Sequence, residues 1–195
     1  MHRISPRVLI ASLSLIFLSA CSGSSQTSIK EQNQNPLTAS RYGDELADSM
    51  ANLVIQDDPA AKDPTMRKII DAQIELGKKL GDDARMKHEE GMKGGFVPIR
   101  SEVIGYVLYV DDIVYFSPDF LTEPGADLRV LHTTVVDPRD VAFPDPTSID
   151  LGPLQSVFGA QQYSVPHQEK PELYRTLVIF DKKLKRIYGL VQLSK

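Results

Sequence analysis

The residue with the clearest chemical signature in this sequence is Cys21, which ends the run Leu18-Ser19-Ala20-Cys21. A leucine, two small residues and a cysteine after an apolar stretch are typical of a lipobox, in which the cysteine thiol receives a lipid. The apolar stretch, residues 8–20, follows a basic start and is too short to span a bilayer comfortably. The sequence therefore predicts a lipoprotein signal peptide over residues 1–20 and lipid attachment at Cys21.

Two alternatives to the lipobox stay open: an uncleaved anchor helix, and a cleaved secretory signal in which Cys21 carries no lipid. The lipobox predicts a bacterial cell envelope protein that binds its membrane through several acyl chains, because one chain alone gives only marginal binding. Ser22 follows the cysteine, where an aspartate would favour retention in an inner membrane. If the cell is Gram-negative, we expect the outer membrane, with the protein facing the periplasm or the surface.

The rest of the sequence lacks the common catalytic patterns. It contains no phosphate-binding Gly-x-x-x-x-Gly-Lys-Ser/Thr run, no Gly-x-Ser-x-Gly elbow and no His-Glu-x-x-His pattern. Acylation of the only cysteine removes thiol chemistry from the mature chain. His88, His132 and His167 are far apart in sequence, so only the fold would bring them together. We predict no catalytic residue, no metal and no cofactor, and leave any cofactor-binding residues unassigned.

A proline-rich loop and one basic turn each carry several side chains of the same charge. The loop contains Asp137, Asp140, Asp145 and Asp150, whose oxygens suit a hard cation, but their spacing matches no EF-hand and favours turn capping. The basic turn, Lys182, Lys183, Lys185 and Arg186, suits either anionic lipid or a hairpin tip kept soluble by charge.

Net charge bears on the class of partner. Removal of the signal peptide takes away Arg3 and Arg7, so the formal net charge of −4 becomes −6. An acidic chain is not expected to bind nucleic acid. The partners predicted are the membrane, through the lipid, and an envelope protein or polymer that the sequence does not identify.

Four segments must position these residues. After the signal peptide, residues 21–40 are rich in Ser, Gln, Asn and Thr and predict a flexible tether. Residues 41–91 predict a helical segment of two or three helices, and residues 92–195 predict a β domain.

The second predicted helix begins with Asp63 as N-cap and Pro64 at its first position. Helical spacing predicts one broad apolar face, formed by Met66, Ile69, Ile70, Ile74, Leu76 and Leu80. We expect this face to pack against the neighbouring helix or the β domain, with self-association as the alternative.

The β domain is predicted from five apolar segments separated by turn residues. These strands are residues 103–110, 113–116, 128–136, 176–180 and 187–193. Short strands with turn-rich connections favour a mainly β fold, an antiparallel β-sandwich or barrel-like domain, over a parallel sheet.

Four segments carry a resemblance to a known family. They are Phe120 with Gly125–Val130, then Ile149–Leu154, then Gly159–Pro166, and last Tyr174–Phe180. In order and spacing they resemble the DM-thirteen domain of Skeletor-type animal proteins and bacterial lipoproteins. The resemblance covers about Gly94 to Leu193 and implies a mainly β fold.

The resemblance also implies an electron-transfer function, partly because the family carries a cysteine after the tyrosine-led strand. Asp181 occupies that position here, so the residue most often linked to redox work is missing. We therefore predict a non-enzymatic binding or scaffold module. The alternative is an electron-transfer module with a bound cofactor, in a pocket lined by aromatic residues such as Tyr106, Tyr109, Tyr115 and Tyr163.

Overall fold

A computed structural model describes residues 28–195. The predicted signal peptide, the lipobox with Cys21 and the first part of the predicted tether lie outside the described residues. Within residues 28–195, no helix is both long enough and apolar enough to cross a membrane.

Helices form the first part of the described chain. A side chain caps the start of all four: Ser28, Asn35, Asp58 and Asp63 each accept a hydrogen bond from a backbone N–H of the helix that follows. The predicted N-cap at Asp63 is thus confirmed. The bounds are α1 Ile29–Gln32, α2 Pro36–Ile55, α3 Pro59–Lys62 and α4 Pro64–Glu90.

The expected flexible tether over residues 21–40 is wrong for residues 28–40. Ser28 caps α1 in a capping box, and α2 begins at Pro36. Asn35 is buried, and its Nδ2 donates to the carbonyl oxygen of Phe116 at 2.8 Å. Ser and Asn side chains satisfy backbone groups at helix starts here, so a polar composition that resembles a linker encodes helix caps instead.

The predicted apolar face of the second helix is half right: Ile70 is buried, and Ile74 and Leu80 are half-buried. Met66, Ile69 and Leu76 are each about half exposed. The other buried positions of α4 are Gly77, Gly81 and Ala84, and α4 packs along α2, its neighbouring helix, as expected. A Cβ built on Gly77 would lie 2.6 Å from the carbonyl oxygen of Gly43, so the two backbones touch. Small residues allow this approach, whereas larger apolar side chains would separate the helices.

The predicted mainly β fold is confirmed. Ten strands follow the helices: β1 Met92–Pro98, β2 Val103–Ile104, β3 Tyr106–Val110, β4 Ile113–Phe116, β5 Leu121–Thr122, β6 Leu128–Thr133, β7 Ile149–Pro153, β8 Gln161–Ser164, β9 Thr176–Asp181 and β10 Arg186–Gln192. A short 3₁₀ helix, Pro171–Leu173, precedes β9.

Eight of the strands form one antiparallel sheet in the order β7-β6-β9-β10-β1-β3-β4-β8. The edge strands β7 and β8 approach each other, so the sheet is a nearly closed barrel. The predicted strand over residues 103–110 is broken at Gly105, which has a φ of +113°. The piece before the break, β2, pairs with β5 in a separate ribbon.

The main core lies inside the barrel, and two smaller clusters lie outside it. Alternate residues of the strands point inward, among them Val107, Val130 and Ile179, all fully buried. One outer cluster contains Leu131 and Phe180 and is covered by the loop after β6. The other contains Leu108, Val110 and Tyr115 and is covered by Leu37 at the start of α2. The helices therefore pack on the outer surface of the barrel.

Candidate functional site

Tyr109 lies at one end of the barrel interior, near the end of β3. Its side chain belongs to the main core and is 6% exposed. Its hydroxyl donates to Oδ1 of Asp112 at 3.1 Å. Asp111 and Asp112 both have positive φ, 54° and 57°, as expected for the two central residues of a type I′ hairpin turn. This turn directs the Asp112 carboxylate back over the end of the strand that carries Tyr109.

His132 lies beside Tyr109 and is completely buried. The two ring centroids are 5.3 Å apart, with an edge-to-face angle of 66°. The Nε2 atom lies 2.8 Å from the carbonyl oxygen of Tyr174. Because a carbonyl only accepts, Nε2 must carry the proton and Nδ1 is the unprotonated nitrogen. That Nδ1 is buried and has no hydrogen-bond donor.

Burial sets the charge of His132. It lowers the pKa of His132 to about 4, and the hydrogen bond to the Tyr174 carbonyl offsets only part of this effect. The ring is therefore neutral at pH 7. The Tyr174 ring flanks it at 5.5 Å. Three aromatic rings thus meet at this end of the barrel without a positive charge between them.

Asp112 links this cluster to the surface. Its Oδ2 contacts Nδ1 of His167 at 3.0 Å, and the His167 side chain is 83% exposed. The hydrogen bonds from His167 and then Tyr109 lower the pKa of Asp112. Burial, followed by the hydrogen bond to Asp112, raises the pKa of Tyr109 to about 12. At neutral pH the phenol is protonated and its acceptor is ionised.

A cleft of about 430 Å³ opens beside Tyr109. Met92, Asp112 and Glu172 form part of its wall, together with Lys195. The cleft connects the edge of the aromatic cluster with solvent. We name Tyr109, Asp112, His132, His167 and Tyr174 the tyrosine–histidine site.

Asp181, at the position of the family cysteine, has a structural role. It is fully buried at the end of β9, and Oδ2 accepts from the backbone N–H of Ala126 at 2.7 Å. Oδ1 accepts from the N–H groups of Lys183 and Leu184 at 3.0 and 2.9 Å. Burial alone would raise the pKa of Asp181, but these backbone donors outweigh it and the pKa is lowered. Asp181 therefore ties the β9–β10 turn to the loop before β6.

The structure brings two of the three predicted histidines into one connected set. His132 and His167 join through Tyr109 and Asp112, whereas His88 lies on α4. Among residues 28–195, no group of three His, Cys, Asp or Glu side chains is placed to hold a metal ion.

The four tyrosines expected to line one pocket are dispersed. Tyr109 and Tyr163 are inside the barrel, Tyr115 lies in the outer cluster under α2, and Tyr106 is 61% exposed. The Tyr163 hydroxyl donates to Gln161 and accepts from the N–H of Gln155, so it closes a turn at another part of the barrel.

The loop aspartates bind their own loop or an adjacent arginine. Asp145 accepts from Thr133, Thr147 and Ser148. Asp137 pairs with Arg139, and Asp150 pairs with Arg129 of β6. Turn capping and local ion pairs account for these three carboxylates.

Two sequence signals point to parts of the tyrosine–histidine site. Alternation along β6 places His132 on the same face as Leu128 and Val130, which predicts an inward side chain. Tyr109 and Asp112 stand three residues apart across a tight turn. No local sequence pattern predicts that β6 lies close to β3, because these strands are not neighbours in the sheet.

Fold and site together define a mainly β, nearly closed antiparallel barrel domain with a buried tyrosine–histidine cluster at one end. The model of the family described as Electron transfer DM13 matches residues 96–193, half of the chain. The chain belongs to this family, the DM-thirteen family that the sequence resembles. No curated protein matches the chain. No solved structure matches it either.

Proposed function

We propose that this chain is a membrane-anchored envelope lipoprotein whose DM13 domain exchanges electrons with a partner protein, with Tyr109 as the redox-active side chain. One observation carries the proposal: a buried phenol donates its hydrogen bond to an ionised carboxylate, that of Asp112. The family description supports the class of function. The contacts within residues 28–195 support the choice of residue.

The hydrogen bond gives the electron step a proton acceptor. A phenol that loses an electron becomes a strong acid, so its proton must leave at the same time. In the oxidation, Tyr109 gives one electron to an oxidised one-electron carrier on the partner, and its phenolic proton moves to Asp112. The products are a neutral phenoxyl radical, a protonated Asp112 and the reduced carrier. Reduction returns the electron to the radical and the proton from Asp112.

The neighbours of Tyr109 position this pair. His167 holds Oδ2 of Asp112, which leaves Oδ1 for the phenol. His132 packs its neutral ring against Tyr109 and is fixed by the Tyr174 carbonyl. The cleft beside Tyr109 gives a partner access to the phenol edge.

The anchor supplies the location in this proposal. A lipid on Cys21, supported by the lipobox sequence, would hold the domain close to its membrane. Six residues lie between Cys21 and Ser28, the first described residue, and a fully extended chain over these seven Cα–Cα steps spans at most about 25 Å. An electron-transfer domain so tethered meets membrane-bound partners in the same envelope layer.

The test is one-electron oxidation of the full mature chain by a photo-oxidised ruthenium complex, with electron paramagnetic resonance as the readout. We expect a tyrosyl radical whose yield Tyr109→Phe lowers. Tyr163→Phe is the matched control, because Tyr163 is also inside the barrel and burial also raises its pKa to about 12, but it donates to an amide oxygen. Asp112→Asn removes the proton acceptor and should slow radical formation.

A second candidate function is a non-redox binding or scaffold module. Asp181 favours it, because the carboxylate at the family's cysteine position is fully used by backbone donors. Equal radical yields in the wild type, Tyr109→Phe and Tyr163→Phe would contradict the electron-transfer proposal. Retention of the same envelope protein or polymer by the wild type and by Tyr109→Phe would then support the binding module.

A further inference from the structure

A second cleft, of about 470 Å³, lies on the outer surface of the barrel at β9 and β10. We propose that it binds a small anionic molecule with an apolar body. The cleft lies between the β9–β10 turn and the loop after β6, and it shares no residue with the tyrosine–histidine site. The proposal is independent of electron transfer.

The floor of the cleft is apolar. Phe180 forms its base and meets Phe143 edge-on, with ring centroids 5.5 Å apart. Ile99 and Ile187 extend this surface. Val141 and Leu184 line it too, and they are 45% and 55% exposed. Covering these side chains with an apolar group would remove their surface from water, which is favourable.

The rim of the cleft is cationic. Arg100, Arg139, Lys185 and Arg186 line it, and none of its lining residues in the described part of the chain is acidic. Arg139 is already paired with Asp137. Within residues 28–195 the other three have no carboxylate partner within ion-pair distance. Three cations without a carboxylate partner thus line one cleft of a chain whose formal net charge is −4.

Arg186 is held ready at this rim. Its guanidinium lies 5.4 Å from the centroid of the Tyr188 ring, and Nη2 donates to the carbonyl oxygen of Arg100 at 3.1 Å. Its Nε is buried and has no acceptor. A guanidinium fixed in this way presents its remaining donors to a carboxylate, sulfonate or phosphate without a large loss of side-chain freedom.

The volume and the charge of the cleft indicate the class of ligand. The volume falls within the range of small-molecule sites. An apolar floor beneath a cationic rim complements an amphiphilic anion. An aromatic acid and the headgroup region of an anionic lipid share this chemistry, so the experiment separates them.

The first experiment measures binding of 8-anilinonaphthalene-1-sulfonate to the full mature chain by fluorescence titration, which no tryptophan complicates. We expect one saturable site whose affinity falls as salt rises. The double substitution Arg100→Gln/Lys185→Gln should raise Kd by about tenfold or more, the effect of losing a charge-assisted hydrogen bond. Lys182→Gln/Lys183→Gln is the matched control, because it removes two positive charges, as the test variant does, from β9–β10 turn positions outside the cleft, and it should change Kd less than about twofold.

Equal effects of the two double substitutions would overturn the proposal, as would the absence of saturable binding. Circular dichroism melts of each variant show that the fold is intact. A second arm displaces the probe with naphthalene carboxylate or with short-chain phosphatidylglycerol below its micelle concentration. Displacement by either supports the site and identifies the source of the anion, whereas displacement by neither contradicts it.

Discussion

Protonation of His132 should make the protein sensitive to mild acid. The folded-state pKa of about 4 lies below the ordinary value of 6.5, so the folded protein resists protonation and the unfolded chain does not. The stability that comes from the neutral ring is complete above the unfolded pKa. It is lost as the pH falls from 6.5 toward 4.

The pKa difference gives the magnitude. A difference of 6.5 against about 4 corresponds to roughly 3 kcal/mol when the loss is complete. Between about pH 7.5 and about pH 5 the linkage relation gives a loss of about 2 kcal/mol. Asp112 and Asp181, whose pKa values are lowered, do not interfere in this pH range. Their contribution to the stability of the protein is lost only near and below pH 3.8, the pKa of the unfolded chain. His88, whose pKa burial also lowers, adds a change of the same sign.

The assay is urea unfolding of the wild type and His132→Gln at both pH values. Glutamine keeps an N–H donor for the Tyr174 carbonyl and does not titrate. The wild type should lose about 2 kcal/mol more than the variant on acidification, close to 1 M in the urea midpoint. Each protein is compared with itself, so a lower starting stability of the variant does not matter. An equal loss in both proteins, or a His132 ring that titrates normally by NMR, would refute the reasoning.

The helix crossing and Asp181 give two further predictions. Gly77→Ala should destabilise the protein by about 1–3 kcal/mol in thermal unfolding, because the new Cβ meets the backbone of Gly43 at 2.6 Å. Gly81→Ala should be neutral or stabilising by up to about 1 kcal/mol, since its Cβ meets only the flexible ends of side chains. Equal losses of stability in Gly77→Ala and Gly81→Ala would contradict the backbone contact between Gly77 and Gly43. Asp181→Cys should lower the free energy of unfolding by about 3 kcal/mol or more, because several buried N–H groups lose a charged acceptor. Asp181→Asn keeps one acceptor oxygen and should lower it less. Unchanged urea midpoints in both variants would contradict this role of Asp181.

Local chemistry was readable from the sequence wherever neighbours along the chain decide the structure. The N-cap at Asp63 and the Asp111–Asp112 turn both depend on groups within a few residues. Apolar segments between turn residues predict several of the strands, but they do not predict β1, because Gly94 and Gly95 weaken its strand pattern. Apolar spacing predicts only part of the buried face of α4, because helix packing there depends on backbone contact between glycines, which hydrophobicity does not report.

The sequence by itself determined the mainly β class, the family and the expectation of a lipid on Cys21, because apolar periodicity, motif order and the lipobox are properties of the linear chain. Only the tertiary structure decided the tyrosine–histidine site. Tyr109 and His132 come from strands that are not adjacent in the sheet, and closure of the barrel puts their rings 5.3 Å apart. The tertiary structure also decided the role of Asp181, because the fold buries this carboxylate and surrounds it with backbone N–H donors from two separate loops.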